Sequence, residues 1–192
     1  MALLIIGLIL FLGAHLAPTF TDFHADLVRK LGEKPTKGVS ALISLAGFIM
    51  IVYGVSALRG SEANVVLWYP PLWGRHLAIT LMLPAFILLA TSHIPSHIRD
   101  VVRHPMLTAT IVWALAHLVA NGDLLALLLF GSFLAFALYD RVSVAQRGLG
   151  PKKPARGWGG DAAAVVTGTV LWAATLFWLH PLAGVPILLP HG

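Results

Sequence analysis

The stretch RHPMLTATIVWALAHLVANGDLLALLLFGSFLAFALYD, residues 103–140, decides the fold. It contains two apolar runs, 105–121 and 124–139, separated by little more than Asn121, Gly122 and Asp123. Each run approaches the roughly 20 residues needed to cross a hydrocarbon core of about 30 Å. So short a link predicts two antiparallel helices in a tight hairpin. The first run carries one histidine at its mouth, His104, and another well inside, His117. An imidazole in hydrocarbon costs free energy unless it has a partner, so His117 calls for a chemical explanation.

The rest of the chain has the same character. Of 192 residues, 58% are hydrophobic and only 11% charged, against roughly 25% charged in an ordinary soluble domain. That is too little polar surface to cover a water-soluble globule. Four further apolar segments, at about 2–18, 39–58, 74–92 and 162–182, bring the count to six. The expected architecture is an all-α integral membrane bundle of about six transmembrane helices. Residues 1–182 form one transmembrane domain and 183–192 a short tail. The apolar N-terminal run has no basic residue before it and reads as a retained first span.

Charge placement sets the expected orientation. Six spans put Arg29, Lys30, Lys34, Lys37, Arg99, Arg103, Arg141, Arg147, Lys152, Lys153 and Arg156 on one side, and only Arg59 and Arg75 on the other. By the positive-inside rule the first side is cytoplasmic, and both termini face away from it. The pI near 10.0 therefore reflects loop topology, and nucleic acid is not an expected partner. Trp68, Trp73 and Trp158 fall at expected membrane interfaces. Gly47 and Gly54 share one helix face, which would let a neighbouring helix approach closely. The expected partners are the lipid bilayer and an apolar small molecule; oligomeric state is left open.

There are no cysteines, which excludes disulfides, thiolate metal sites and cysteine nucleophiles. The nine histidines are the candidates for ligation. His24, His97 and His191 fall in expected loops or at the terminus and read as solvated. His93 and His97 have helical spacing, but Pro95 between them opposes a regular helix. His180 reads as interfacial. His15, His76, His104 and His117 remain. His104 and His117 differ by about 220° around a helix and about 20 Å along it, so they cannot ligate one ion. Zinc or copper would need three or four close ligands, whereas haem b needs only one or two imidazoles and an apolar slot. His15 and His117 are the deepest pair, at levels about 10 Å apart by helix rise.

The motifs LFLGAH in the first segment, LGEKPTKGVSALISLAG before the second, WGRHLA opening the third, and RHP followed by WALAHLVANGD in the fourth resemble the NnrU family. That family takes its name from gene clusters of denitrification and nitric oxide metabolism, and the 15-cis-ζ-carotene isomerase is a distant relative. The resemblance spans roughly residues 1–182. It implies a haem b protein of the bacterial inner membrane with His15 and His117 as axial ligands. His76 is the position matching a further histidine needed by the isomerase. If haem is bound, His76 and His104, together with Arg75 and Arg103, would hydrogen-bond or neutralise its propionates, since guanidinium pairs well with carboxylates. The isomerase carries a cysteine three residues before its second axial histidine; here that position is Ala114, which removes any histidine-to-cysteine ligand exchange. Two other functional classes stay open. A membrane methyltransferase of the RHP type is one, although no Glu-Glu pair follows. A non-enzymatic accessory protein for a membrane reductase is the other.

Overall fold

The computed structural model describes residues 1–150, 155, 157–185 and 187. Lys152, Lys153, Arg156, His191 and most of the 183–192 tail lie outside the described residues. The described chain is helical throughout, and the only extended pairing in it is an isolated bridge between Val66 and Asp123. The helices are α1 (Ala2–Leu16), α2 (Thr21–Leu31), α3 (Glu33–Arg59), α4 (Leu72–Thr91), α5 (His97–Val102), α6 (Pro105–Ala120) and α7 (Leu124–Gln146). The last, α8, starts as Trp158–Ala174 and continues through a π-helical turn, Thr175–Leu179, to Leu182.

Five of these are long and apolar enough to cross a membrane: Ala2–Thr19, Glu33–Arg59, Leu72–Thr91, Leu124–Gln146 and Trp158–Leu182. The expected fourth span, α6, is apolar but shorter, with 16 residues, or about 24 Å of rise. Pro105 at its first position starts it, because a missing N–H costs nothing there. The α6–α7 hairpin forms as expected. Asp123 caps α7 by accepting from the Ala126 amide at 2.8 Å.

Two boundaries differ from the sequence reading. Helix α3 begins at Glu33, well before residue 39, because Pro35 falls in its first turn, where proline is tolerated. Residues 21–31, expected as loop, form α2. Phe20, Phe23, Leu27 and Leu31 recur at helical spacing, with Asp22, Asp26 and Arg29 turned away from them. His24 therefore lies on a surface helix.

Glycines set the closest helix approaches. A Cβ on Gly7 would lie 2.7 Å from the Ile51 amide nitrogen, one on Gly47 2.6 Å from that of Phe11, and one on Gly54 2.6 Å from that of Leu4. So α1 and α3 touch backbone to backbone, as the Gly47/Gly54 face predicted. Around this crossing Leu4, Leu8, Leu12, Ile51 and Leu58 are buried together with Leu125 of α7. On the other side α4 packs against α6 at Gly74 and Val119, and against α8 at Ile87 and Gly168. Helix α7 joins the two halves. Among the described residues α1 and α6 both pack on α7 without touching each other, which leaves an opening between them.

The interhelix connections gather at two ends. At one, Arg147 Nη1 donates to the Pro18 carbonyl at 3.1 Å, Arg141 Nη2 to that of Val102 at 3.4 Å, and the Ala155 amide to the Asp100 carboxylate at 3.2 Å. At the other, Arg59 Nη1 donates to the Ala183 carbonyl at 2.8 Å. There Asn64 also donates to Asp123 at 3.2 Å and accepts from the Leu125 amide at 2.8 Å. The 121–123 turn is thus clamped by the α3–α4 loop.

Candidate cofactor site

The opening beside α7 is lined by aromatic rings. Phe133 meets Phe11 of α1 at 5.7 Å between centroids and Trp113 of α6 at 5.4 Å. One step along, the His117 ring stacks on Phe130 at 4.4 Å; one step the other way, His15 meets Phe136 edge-on at 6.2 Å. Helix α7 therefore serves as a ruler. Phe130 and Phe136 are six residues apart, about 9 Å of rise, so His15 and His117 occupy different levels, close to the separation read from sequence.

Their rings are nevertheless held in the same way. His15 Nδ1 lies 2.7 Å from the Phe11 carbonyl, and His117 Nδ1 lies 2.8 Å from the Trp113 carbonyl. A carbonyl can only accept, so each Nδ1 carries the proton and donates, leaving Nε2 with the lone pair. Each bond also draws the ring toward the N-terminus of its own helix. Because α1 runs parallel to α7 and α6 antiparallel to it, both imidazoles lean toward the Phe133 level. A ligating histidine is commonly fixed in this way through its other nitrogen.

A third histidine joins them, contrary to the interfacial reading. His180 is half-buried, with its ring 6.3 Å from that of His117 and inclined by only 16°. The π turn at Thr175–Leu179 lies directly before it. A π turn adds about one residue to a helical turn and so rotates every later residue about the helix axis. Periodicity at 100° per residue could not have placed His180 there.

The other four predicted residues divide between two ends. Gly74 abuts Val119, so Arg75 and His76 lie near the His117 end of α6; the His76 side chain is exposed. Arg103 and His104 lie at the opposite end, about 20 Å from His117 along α6. They line a second space of about 320 Å³ with Ser92, Arg99, Pro105, Met106, Leu107, Leu149 and Gly150. Arg103 adopts φ 64°, a left-handed conformation that a side chain disfavours, where α5 ends and α6 begins. Burial, then the positive charges of Arg141 and Arg103, holds the His104 imidazole below its ordinary pKa, with Asp140 and the Leu149 carbonyl opposing. Arg99, buried here, was not singled out from sequence.

Between the two ends lies an apolar space, also about 320 Å³, lined by Met82, Ala85, Phe86, Leu89, Ala109, Thr110, Trp113 and Phe133. His97, read as solvated, is exposed and also bonds to Asp161 of α8 at 2.6 Å. His93 and His97 do not form a helical pair, since α4 ends before His93 and α5 starts at His97. Among the described residues no three histidine, aspartate or glutamate side chains cluster as a metal site.

No curated protein and no solved structure gives a significant match to this chain. The family described as NnrU protein matches residues 3–187, which is nearly the whole helical bundle. The match includes the partly buried His117 and His180 and also His15, which is exposed where the sequence reading had placed it deep. The chain belongs to the NnrU protein family.

Proposed function

We propose that this NnrU-family protein is a haem b protein of the bacterial inner membrane, with His117 as an axial ligand. The observation that carries this reading is the state of His117: Nδ1 is committed to the Trp113 carbonyl, and the ring stands among Trp113, Phe130 and His180. The donor set fits haem better than a bare ion. With no cysteine and no cluster of three ligating side chains among the described residues, zinc or copper would lack ligands. A porphyrin brings four of its own and asks for one or two imidazoles. Two histidines are candidates for the second ligand: His15, which the family resemblance implies, and His180, whose ring lies 6.3 Å from that of His117. Arg75, at the His117 end, is the cation suited to a propionate.

Bound haem would supply an iron able to bind small ligands and change redox state. The residues of the chain supply ligand orientation, an aromatic enclosure and the exclusion of water. The family suggests two roles: cis–trans isomerisation of an apolar polyene, or a factor in denitrification and nitric oxide metabolism. The apolar space beside Trp113 and Phe133 suits an apolar substrate arriving from within the bilayer. A role as accessory to a membrane reductase uses the same haem.

The test is the haem content of the detergent-purified protein, measured as the pyridine haemochrome after expression with haem supplied. The expected result is one haem per chain, lost or strongly reduced in His117→Ala. His15→Ala and His180→Ala identify the second ligand, by which of them turns a six-coordinate spectrum five-coordinate. A wild type that stays colourless refutes the reading; methyl transfer from S-adenosylmethionine is then the activity to assay.

A further inference from the structure

The arginine-lined space at the start of α6 and the apolar space above it lie along one interhelix groove. On α6, Met106 borders the first, while Thr110 and Trp113 border the second, and these three are spaced to share a face. On α4, Phe86 and Leu89 border the second space, and Ser92, just past the end of α4, borders the first. One end is charged: Arg99 and Arg103 both border it, and among the described residues no carboxylate lines it, the nearest being Asp100 beside Arg99 and Asp140, whose charge reaches His104. Arg99 Nη2 lies 3.5 Å from Asp100, and Arg103 forms no ion pair among the described residues. Helix α6 has no side-chain cap at this end, so its first amides also point their positive dipole ends outward. The other end is almost wholly apolar, with the Thr110 hydroxyl and the Trp113 indole N–H as the polar side-chain groups of its described lining. Thr110 spends its hydroxyl on the Met106 carbonyl at 3.0 Å.

We propose that this groove binds an anionic amphiphile, a membrane lipid with one phosphate-bearing head and a long hydrocarbon chain. The head lies against Arg99 and Arg103, and the chain lies along Thr110 and Trp113 toward Phe133. Charge complementarity selects the head, because guanidinium groups pair with phosphate oxygens through charge-assisted hydrogen bonds. Basic pockets between membrane helices recognise anionic headgroups in this manner. The alignment of the two spaces selects a chain attached to that head. The charged end is separate from the proposed haem ligand, since Arg103 lies a full helix length from His117, while the chain end shares Trp113 and Phe133 with the aromatic site beside His117.

The experiment uses the full-length protein in phosphatidylcholine nanodiscs, with and without phosphatidic acid carrying a brominated chain. A bromine atom beside an indole quenches its fluorescence, so Trp113 reports an occupied chain site, and Trp113→Phe isolates its signal. Quenching by brominated phosphatidic acid is expected at lipid fractions where brominated phosphatidylcholine has no effect. In the double variant Arg99→Gln/Arg103→Gln the apparent affinity falls about tenfold, the loss expected from about 1.4 kcal/mol of charge-assisted bonding. Arg103→Lys in an otherwise native chain retains most of the binding. Thr110→Phe, which fills the apolar space and leaves both arginines in place, also abolishes the quenching. Equal quenching by both lipids, or an unchanged affinity in the double variant, overturns the proposal. If inorganic phosphate competes as well as phosphatidic acid and Thr110→Phe has no effect, the charged end serves a free anion and the amphiphile reading fails.

Discussion

The α1–α3 crossing gives the sharpest test of the packing, through the substitution Gly47→Ala. A methyl group there would lie 2.6 Å from the Phe11 amide nitrogen and 2.9 Å from the Gly7 carbonyl oxygen. Ordinary contacts between nonbonded heavy atoms lie near 3.5–4.0 Å, so the helices must separate by about 1 Å. Both obstructing atoms are backbone, and no rotamer change relieves them. Separation also loosens the buried contacts of Leu4, Leu8, Leu12 and Ile51. Overpacking of this kind costs about 2 kcal/mol. At about 2–4 °C per kcal/mol for a chain of this length, the melting temperature falls by about 4–8 °C. The assay is thermal unfolding in detergent, followed by helical circular dichroism. Gly38→Ala is the internal control: it lies on the same helix with nothing within 4 Å of its Cβ position. Alanine there removes glycine's backbone freedom and stabilises by about 0.5–1 kcal/mol. Opposite signs for the two substitutions support the crossing; a shift of the same sign in both refutes it.

The two ends of the bundle give further tests. Asn64→Ala removes the two side-chain bonds among those that clamp the 121–123 turn, leaving the backbone bonds of Val65, Leu67 and Trp68; it destabilises by about 1–3 kcal/mol, measured in the same melting assay. Asp161→Ala removes the acceptor for both the His97 ring and the Ile98 amide. It loosens the junction of α5 with α8, which proteolysis between residues 97 and 102 detects as faster cleavage. His104 makes stability depend on pH. Its folded pKa lies below its unfolded one, so the unfolded chain takes up a proton first as pH falls. Its contribution is therefore constant above the ordinary histidine pKa of about 6.5 and declines below it. His104→Gln flattens the melting temperature between about pH 5 and 6.5; an unchanged slope assigns that dependence to another group.

Much of the fold was legible because a membrane helix announces itself by length and apolarity. The 121–123 turn and the Gly47/Gly54 face were readable, since each depends on a local pattern. Helix α2 was readable in principle, from apolar residues at 20, 23, 27 and 31, but charges between them masked it as loop. The site was legible in part. Their place within apolar segments singled out His15 and His117; the structure gives both the same ring-to-carbonyl bond, but leaves His15 exposed and only His117 partly buried. His180 was hidden because its position depends on a π turn, which breaks the regular period from which helix faces are read. Arg99 and the His97–Asp161 bond were hidden for another reason. They depend on how α5 meets α8, a contact across more than 60 residues that no local pattern encodes.

The measurement that tests the central claim most directly is the visible spectrum of the haem-supplied, detergent-purified protein, oxidised and then reduced with dithionite, for wild type and His117→Ala. The account predicts a Soret band with sharp α and β bands on reduction in the wild type, and their loss or clear alteration in the variant. A colourless wild type, or a haem spectrum identical in both proteins, would contradict it.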